Sequence, residues 1–491
     1  MKFSSILAIF GLSISMLQSS ESALEYLNTL RGQSGLAPLA IDPALQRSAQ
    51  AHSHYLALQG ITGHAEEAGR EGFTGETPSA RAFAAGYDSV AVSENVSSGQ
   101  KDIYSSIDKL FSGIYHRFAF LDMKKDLVGI GVESKNYTYD LGNSLLNRLC
   151  REHTYTGGSY YRNACRESEK KIEVSVYDRA VDHYKLLAEA PEAVVWPPKN
   201  GQGILPGFYA ENPDPLPDYA VSGYPVSVEF NDALSPEAPE EVEITLQDSE
   251  GNELEGIFMD RSNDPMGRFT DHQFAFFPRE HLEWGARYQV KLEYDGTSRE
   301  WCFATRSLAS FGADKVYRID QSDDASLEIV SGTTYALYLV PQGPDDQFDR
   351  YRYRYNTEKP SVAFVDRNTL LVTVTGEAGQ RVELSLNNPG GQKITLYIAE
   401  EDRARTPRAE VCPTAPSAAV TASYTYPSDT SVDTEISSDE AQEEKRISQE
   451  QDTEEEEVAG KGGGSLFILA LLWFASLLSL VSLRGKRLFN D

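Results

Sequence analysis

Apolar positions between residues 24 and 133 recur with the three-to-four-residue spacing of helices that bury one face. Leu24, Leu27 and Leu30 stand three apart. In DPALQRSAQAHSHYLALQG, Leu45, Ala49, His52 and Leu56 fall on one face, Asp42 is placed to cap, Pro43 takes the first helical position and Gly60 closes the helix. TPSARAFAAGY repeats the logic with Thr77, Pro78 and Gly86. A further helix is predicted around Ile103 to Tyr115, with Ile107, Leu110, Phe111 and Ile114 on one face. In DLVGIGVE the residues Val128, Ile130 and Val132 alternate with glycines, which predicts a strand against which helices pack. Ser22 to about Ala188 therefore reads as a mixed α and β domain.

The period then changes. The run VVWPPKNGQGILPGFYAENPDPLPDYAVSGYP reads as a Pro-rich crossing of extended loops, because proline removes a backbone donor and fixes φ. PVSVEF, VEITLQD, FAFFP, YQVKLEY and WCFAT follow as short alternating strands at sandwich spacing and predict an immunoglobulin-like β-sandwich. From about Lys315 to Glu400 a second all-β domain is predicted, in which Tyr351, Tyr353 and Tyr355 share one strand face. Cross-strand packing accounts for that tyrosine row better than carbohydrate binding does.

The two ends differ from the body. Lys2 and the apolar run Ile6 to Leu17, followed by small residues, read as a secretory signal with cleavage between Gln18 and Ala23; the run is too short to span a bilayer. Leu466 to Leu483 is an uncharged stretch, about 27 Å as a helix, followed by Arg484, Lys486 and Arg487, which predicts a transmembrane helix with the amino-terminal bulk outside. Between Asp429 and Glu457 thirteen acidic residues face only Lys445 and Arg446, the pattern of a disordered acidic linker. With a formal net charge of -29 the chain is not expected to read nucleic-acid phosphates. Export makes the four cysteines disulfide candidates. Cys150 and Cys165 would staple a Gly- and Tyr-rich loop; Cys302 and Cys412 are the second candidate pair, and no CxxC suggests a metal finger.

The organisation read from the chain is a signal over 1–22, the mixed domain with its stapled extension over 23–188, the Pro-rich crossing and immunoglobulin-like domain over 189–310, the second β domain over 311–402, the acidic linker over 403–461 and the Gly-rich apolar end over 462–491.

Three polar residues of the first domain stand out. His52 on the apolar helix face reads as a core histidine and His54 as exposed, whereas His64 lies in the loop GHAEEAG. His116 ends the predicted fourth helix, and Glu94 sits among small residues in SENVSSG, where alone it would brace a turn. Taken in order, LNTLRGQSGLAPLAIDPALQRSAQAHSHYL, GH, TPSARAFAAGY, SENV, YHR and VGIGVE resemble the bacterial branch of the CAP superfamily, the cysteine-rich secretory, antigen 5 and pathogenesis-related proteins. The segment from GNSLLNRLC to VVWPP is similar to the extension of larger secreted members, and the acidic spacer, GGGS, apolar span and basic end resemble a GlyGly sorting signal cut by rhomboid-type proteases.

The resemblance implies an α/β/α sandwich with a cleft of histidines and acids, to which His64, Glu94 and His116 correspond, and Arg117 to the arginine after the second histidine. Two imidazoles and a carboxylate are a ligand set for a divalent metal such as Zn²⁺; without metal the same groups could serve as base and acid. One departure stands out. The family's second cleft glutamate has no counterpart, Asp108 being the sole acid on SIDKLFSGIYH. The expected function is that of an exported, membrane-linked protein presenting this cleft to a metal or an extracellular ligand, with a protease- or nuclease-type hydrolase or an adhesin acting through the β domains as alternatives.

Overall fold

The computed structural model describes residues 20–413 and the backbone of residues 455–459. The expected amino-terminal signal, all but its last residues, and the apolar run at 466–483 lie outside the described residues, among which no helix is long and apolar enough to cross a membrane.

The first domain is built on a four-stranded sheet in the order β1, β3, β4, β2, comprising β1 (Ala40–Ile41), β2 (Ser93–Ser98), β3 (Leu127–Glu133) and β4 (Asn136–Gly142). Helix α1 spans residues 20–33; α2 (Pro43–Gln59) and α3 (Pro78–Ala84) follow. The sequence punctuation works as expected. Asp42 accepts from the backbone of Ala44 and Leu45, and Gly60 takes the left-handed conformation at φ 63°; Thr77 accepts from Ala80.

The glycines of β3 explain how α2 packs. A Cβ on Gly129 would stand 2.1 Å from the backbone of Leu45, and one on Gly131 would stand 2.1 Å from that of Ala49. The helix therefore lies directly on the strand. Because β1 pairs with β3 at only two positions, the outer edge of β3 would be left open beyond them. Two glutamines one helical turn apart close it: the Gln46 amide exchanges bonds with Ile130 (2.6 and 3.0 Å) and the Gln50 amide with Val132 (3.1 Å each). The opposite sheet face, carrying Val128, Ile130, Tyr139 and Leu141, packs against Leu27 and Leu30 of α1 and, from α4 (Ile103–Ser112) and α5 (Ile114–Phe120), Ile107, Phe111 and Phe120. This is an α/β/α arrangement. After it come α6 (Ser144–Glu152), a small ribbon of β5 (Tyr160–Tyr161) with β6 (Ile172–Glu173), and α7 (Val174–Asp182); the disulfide Cys150–Cys165 staples them to each other.

Three expectations change here. The fourth helix is two: Gly113 adopts an extended conformation at ψ 134°, so α4 ends at Ser112 and His116 falls in the first turn of α5, not at a helix end. SENVSS is no turn but β2, in register with β4, so that Glu94 lies opposite Asp140. The Pro-rich crossing is already part of the sandwich, for it carries β7 (Ala193–Trp196), β8 (Gly201–Ile204), β9 (Gly207–Phe208) and β10 (Ser222–Gly223).

The remaining strands of that sandwich are β11 (Val226–Phe230), β12 (Glu243–Gln247), β13 (Gly256–Met259), β14 (Gln273–Pro278), β15 (Arg287–Tyr294) and β16 (Thr297–Thr305). With β7 and β8 they form two four-stranded sheets, β13-β14-β11-β7 and β12-β15-β16-β8, as immunoglobulin-like domains do, while β9 and β10 pair with each other as a separate ribbon. Their core is continuous with that of the first domain, joined where Phe111 meets Trp196 with ring centroids 4.6 Å apart.

A second sandwich contains β17 (Lys315–Ile319), β18 (Ala325–Ile329), β19 (Thr334–Leu339), β20 (Arg350–Tyr355), β21 (Ser361–Asp366), β22 (Thr369–Thr373), β23 (Arg381–Leu386) and β24 (Lys393–Ile398). Tyr351 and Tyr353 are buried in its core and Tyr355 packs against it, so the tyrosine row is packing. The acidic linker differs from expectation at both ends. Residues 403–413 lie along the sandwiches, with Arg405 bridged to Val316 and Cys412 bonded to Cys302, and β25 (Glu455–Ala459) pairs antiparallel with β20.

Candidate functional site

The candidate site lies at β2, the edge strand of the first sheet, where groups from both sheet faces meet. Glu94 faces the α2 and α3 side, its side chain only 1% exposed, and its two oxygens are both engaged: Oε1 accepts from His64 Nδ1 at 2.9 Å and Oε2 from the Arg81 guanidinium at 2.6 Å. Burial pushes the Glu94 carboxyl up, but the His64 hydrogen bond and the charge of Arg81 outweigh it and hold the group below the usual glutamate range. It is therefore an ionised acceptor, so His64 Nδ1 carries the hydrogen.

Arg81, fully buried, also donates to the carbonyls of His64 (2.9 Å) and Gly75 (3.3 Å), and its Nε stands 3.7 Å from Glu66. Glu66 in turn accepts from His52 Nδ1 (2.9 Å) and from the backbone of Thr74 (2.6 Å) and Gly75 (3.2 Å). The other nitrogen of His52 faces the Gly63 carbonyl at 2.9 Å. His52 is thus the satisfied core histidine expected, and its partners hold both ends of the loop that carries His64. Beneath Glu94, Asp140 is fully buried, beside Ser48 and Glu94. Burial, and then the charge of Glu94, push its carboxyl well up.

His116 arrives round the edge of β2 from the other face, its carbonyl accepting from Asn95 at 2.8 Å. Its ring stacks near that of His64, centroids 6.5 Å apart and planes at 23°. The second carboxylate that the first domain lacks comes from the first sandwich. Glu211 Oε2 accepts from His116 Nδ1 at 2.5 Å while Oε1 accepts from the backbone of Ile114 (2.5 Å) and Tyr115 (3.2 Å). Gly113 makes room for it, since a Cβ there would stand 2.4 Å from Glu211 Oε2. Lys109 holds the same segment by donating to the carbonyls of Tyr209 (3.3 Å) and Ala210 (3.2 Å), and its burial lowers its ammonium to about 8.

The structure thus brings His64, Glu94 and His116 together and adds Arg81, Glu66 and Glu211, which sequence reasoning missed. Arg81 carried a faint signal, a cation among the small apolar residues of SARAFAA; Glu211, in a Pro-rich run, carried none. Arg117 and Asp108 turn away. Arg117 is buried at the joint with the first sandwich, donating to Phe111 O (2.7 Å), Pro225 O (2.7 Å) and Ser227 Oγ (3.0 Å) and lying over the Tyr224 ring. Asp108 accepts from Tyr26 (2.5 Å) and Arg306 (2.9 Å). Among the described residues no three His, Cys, Asp or Glu side chains form a ready-made metal cluster. What the site offers is two imidazoles, each with Nδ1 held by a carboxylate.

Residues 24–167 match the family model described as the Cysteine-rich secretory protein family, and this part of the chain is a CAP domain. Similar solved structures include an extracellular SCP-domain protein of Bacillus anthracis, 21% identical over 25% of this chain and 39% of its own, TM-score 0.23. An outer surface protein of Borrelia burgdorferi is 16% identical over 25% of this chain and 90% of its own, TM-score 0.22. A tandem of titin immunoglobulin domains is 12% identical over 36% of this chain and 88% of its own, TM-score 0.14. No curated protein matches the chain.

Proposed function

We propose that the protein is exported and surface-held, and that its CAP cleft binds a divalent cation through His64 and His116 and so presents a site to an extracellular ligand. The observation that carries this reading is the pair of imidazoles whose Nδ1 atoms are both taken by carboxylates, Glu94 at 2.9 Å and Glu211 at 2.5 Å. That is the arrangement by which proteins fix the tautomer of metal-ligating histidines and leave Nε2 for the ion. The donors suit a borderline cation such as Zn²⁺, and the two rings stand side by side with centroids 6.5 Å apart. In this reading Glu94 and Glu211 orient ligands and are not themselves ligands. A bound cation would supply Lewis acidity toward water or a ligand oxygen. His64, with its side chain 45% exposed, is the group a ligand meets first.

A hydrolytic role with Glu94 as base has less support, because a carboxylate held ionised by Arg81 is a weak proton acceptor at neutral pH. Export is supported by the two disulfides, which form and persist in oxidising compartments. The apolar end at 466–483 would hold the protein at a membrane, as an anchor or until a sorting protease removes it.

Titration calorimetry of the whole exported chain with Zn²⁺ tests the proposal. Binding should vanish in a His64→Ala, His116→Ala double variant and weaken roughly 10- to 100-fold in Glu211→Gln. A double variant that binds as tightly as the parent, or a parent that binds nothing, would overturn it.

A further inference from the structure

The larger sheet of the second sandwich has the order β18, β24, β23, β20, β25, so β20 would be an open edge without residues 455–459. Open edges present unpaired backbone donors and acceptors and invite any extended chain. β20 reads RYRYRY: Tyr351 and Tyr353 are buried in the core, while Arg350, Arg352 and Arg354 are exposed on the outer face. On a chain with a formal net charge of -29 this is an unusual row of like cations. A surface groove of about 450 Å³ runs over the same region, lined by Arg352, Arg354 and Lys393 with Asp324 and Glu383 opposing them.

The register of the last strand matches that edge. Glu457 is set opposite Arg352, Glu455 opposite Arg354, and Val458 opposite the buried Tyr351. Opposite charges directly across a strand pair are attractive. Between the two acids Glu456 is set opposite Tyr353, so it is the acidic run as a whole that complements the arginine row.

We infer that the segment EEEVA, Glu455–Ala459, docks in cis as the terminal strand of the second sandwich, selected by the alternating arginines of β20, and is not a free spacer. The occupant is this chain's own acidic end, and the recognition is strand addition with charge complementarity. Docking has a mechanical consequence. From Ala459 only residues 460–465 lead to the apolar run, a reach of about 20 Å at most, whereas without this pairing the last described contact with the sandwiches is at residues 403–413. The docked strand therefore keeps the sandwich close to whatever holds the apolar end.

Two measurements on the full chain test this. The four native cysteines are all in disulfides, so a new pair, Arg352→Cys with Glu457→Cys, reports the register: it should form an intramolecular bond under mild oxidation, whereas Arg352→Cys with Gln451→Cys should not. Hydrogen exchange of the β20 peptide should be roughly ten-fold slower or more in the parent than in a chain ending at Thr453. Charge reversal at Arg352 and Arg354 should speed exchange, and reversal of Glu455 and Glu457 in the same chain should restore it. Unaltered exchange on truncation, equal cross-linking of both cysteine pairs, or cross-linking only between two copies would each overturn the inference.

Discussion

Replacing Arg81 with Met keeps the volume and removes the charge on which the candidate site is organised. The guanidinium is fully buried, 2.6 Å from Glu94 and 3.7 Å from Glu66, and both carboxylates are themselves buried. Leaving a buried charge without its partner costs about 3–5 kcal/mol, and the orphaned carbonyls of His64 and Gly75 each add about 1 kcal/mol. Against a typical total of about 5–15 kcal/mol the loss is large. Because the CAP domain shares its core with the first sandwich, a global melt would blur it. Hydrogen exchange of the peptide covering 93–98 in the whole chain is the better measure, and Arg81→Met should lower its protection by at least about 3 kcal/mol at pH 7.

The sign of the pH dependence follows from the same contacts. Burial raises Glu94 and Glu66, but the histidine hydrogen bonds and Arg81 leave both below the ordinary glutamate value. Their contribution to parent stability is therefore complete above about pH 4.5 and fades as pH falls through the depressed values. Without Arg81 burial prevails, the two acids take up protons more readily, and the variant closes on the parent between pH 7 and about pH 4.5. A loss below about 1 kcal/mol at pH 7, or a gap that does not narrow, would refute the reasoning. Adding Glu94→Gln to Arg81→Met should recover part of the loss.

Other outcomes follow from single features. Gly129→Ala should destabilise by about 1–3 kcal/mol or more, read by urea unfolding, since its Cβ would lie 2.1 Å from the Leu45 backbone. Glu229, pushed up to about 8 chiefly by burial, favours the folded state when protonated, so its contribution is complete below about pH 4.5 and is lost as pH rises through about 8. Glu229→Gln should accordingly stabilise the protein at pH 8–9 relative to pH 5, by an amount bounded at about 5 kcal/mol, in unfolding curves at the two pH values. Removing the Cys302–Cys412 bond, which spans 110 residues, with a double Ala variant should cost about 2–5 kcal/mol and expose 403–413 to proteolysis.

Much of the fold was legible because it is written locally. Asp42, Pro43 and Gly60 bound α2 through backbone chemistry within a few residues, and strand alternation marked five of the strands of the first sandwich. The prolines after Trp196 obscured β7 to β10, because edge and short strands tolerate proline where an interior ladder does not. The split at Gly113 was hidden for a different reason: the apolar face runs on from Phe111 to Ile114, and it is the seat for Glu211 that requires the break.

The candidate site was half legible. His64, Glu94 and His116 were found from their order along the chain, but the sequence by itself determined only which side chains were available. Which of them meet, and which turn into the packing, was decided by tertiary structure. Glu94 on β2 is held by Arg81 from α3, and Arg117 is drawn into the joint with the sandwich by carbonyls of Phe111 and Pro225. The carboxylate on His116 is that of Glu211, 95 residues further along the chain. Periodicity and capping are short-range and can be read residue by residue. A buried carboxylate, by contrast, takes its charge state and its role from whichever donors the packed chain brings to within 3 Å.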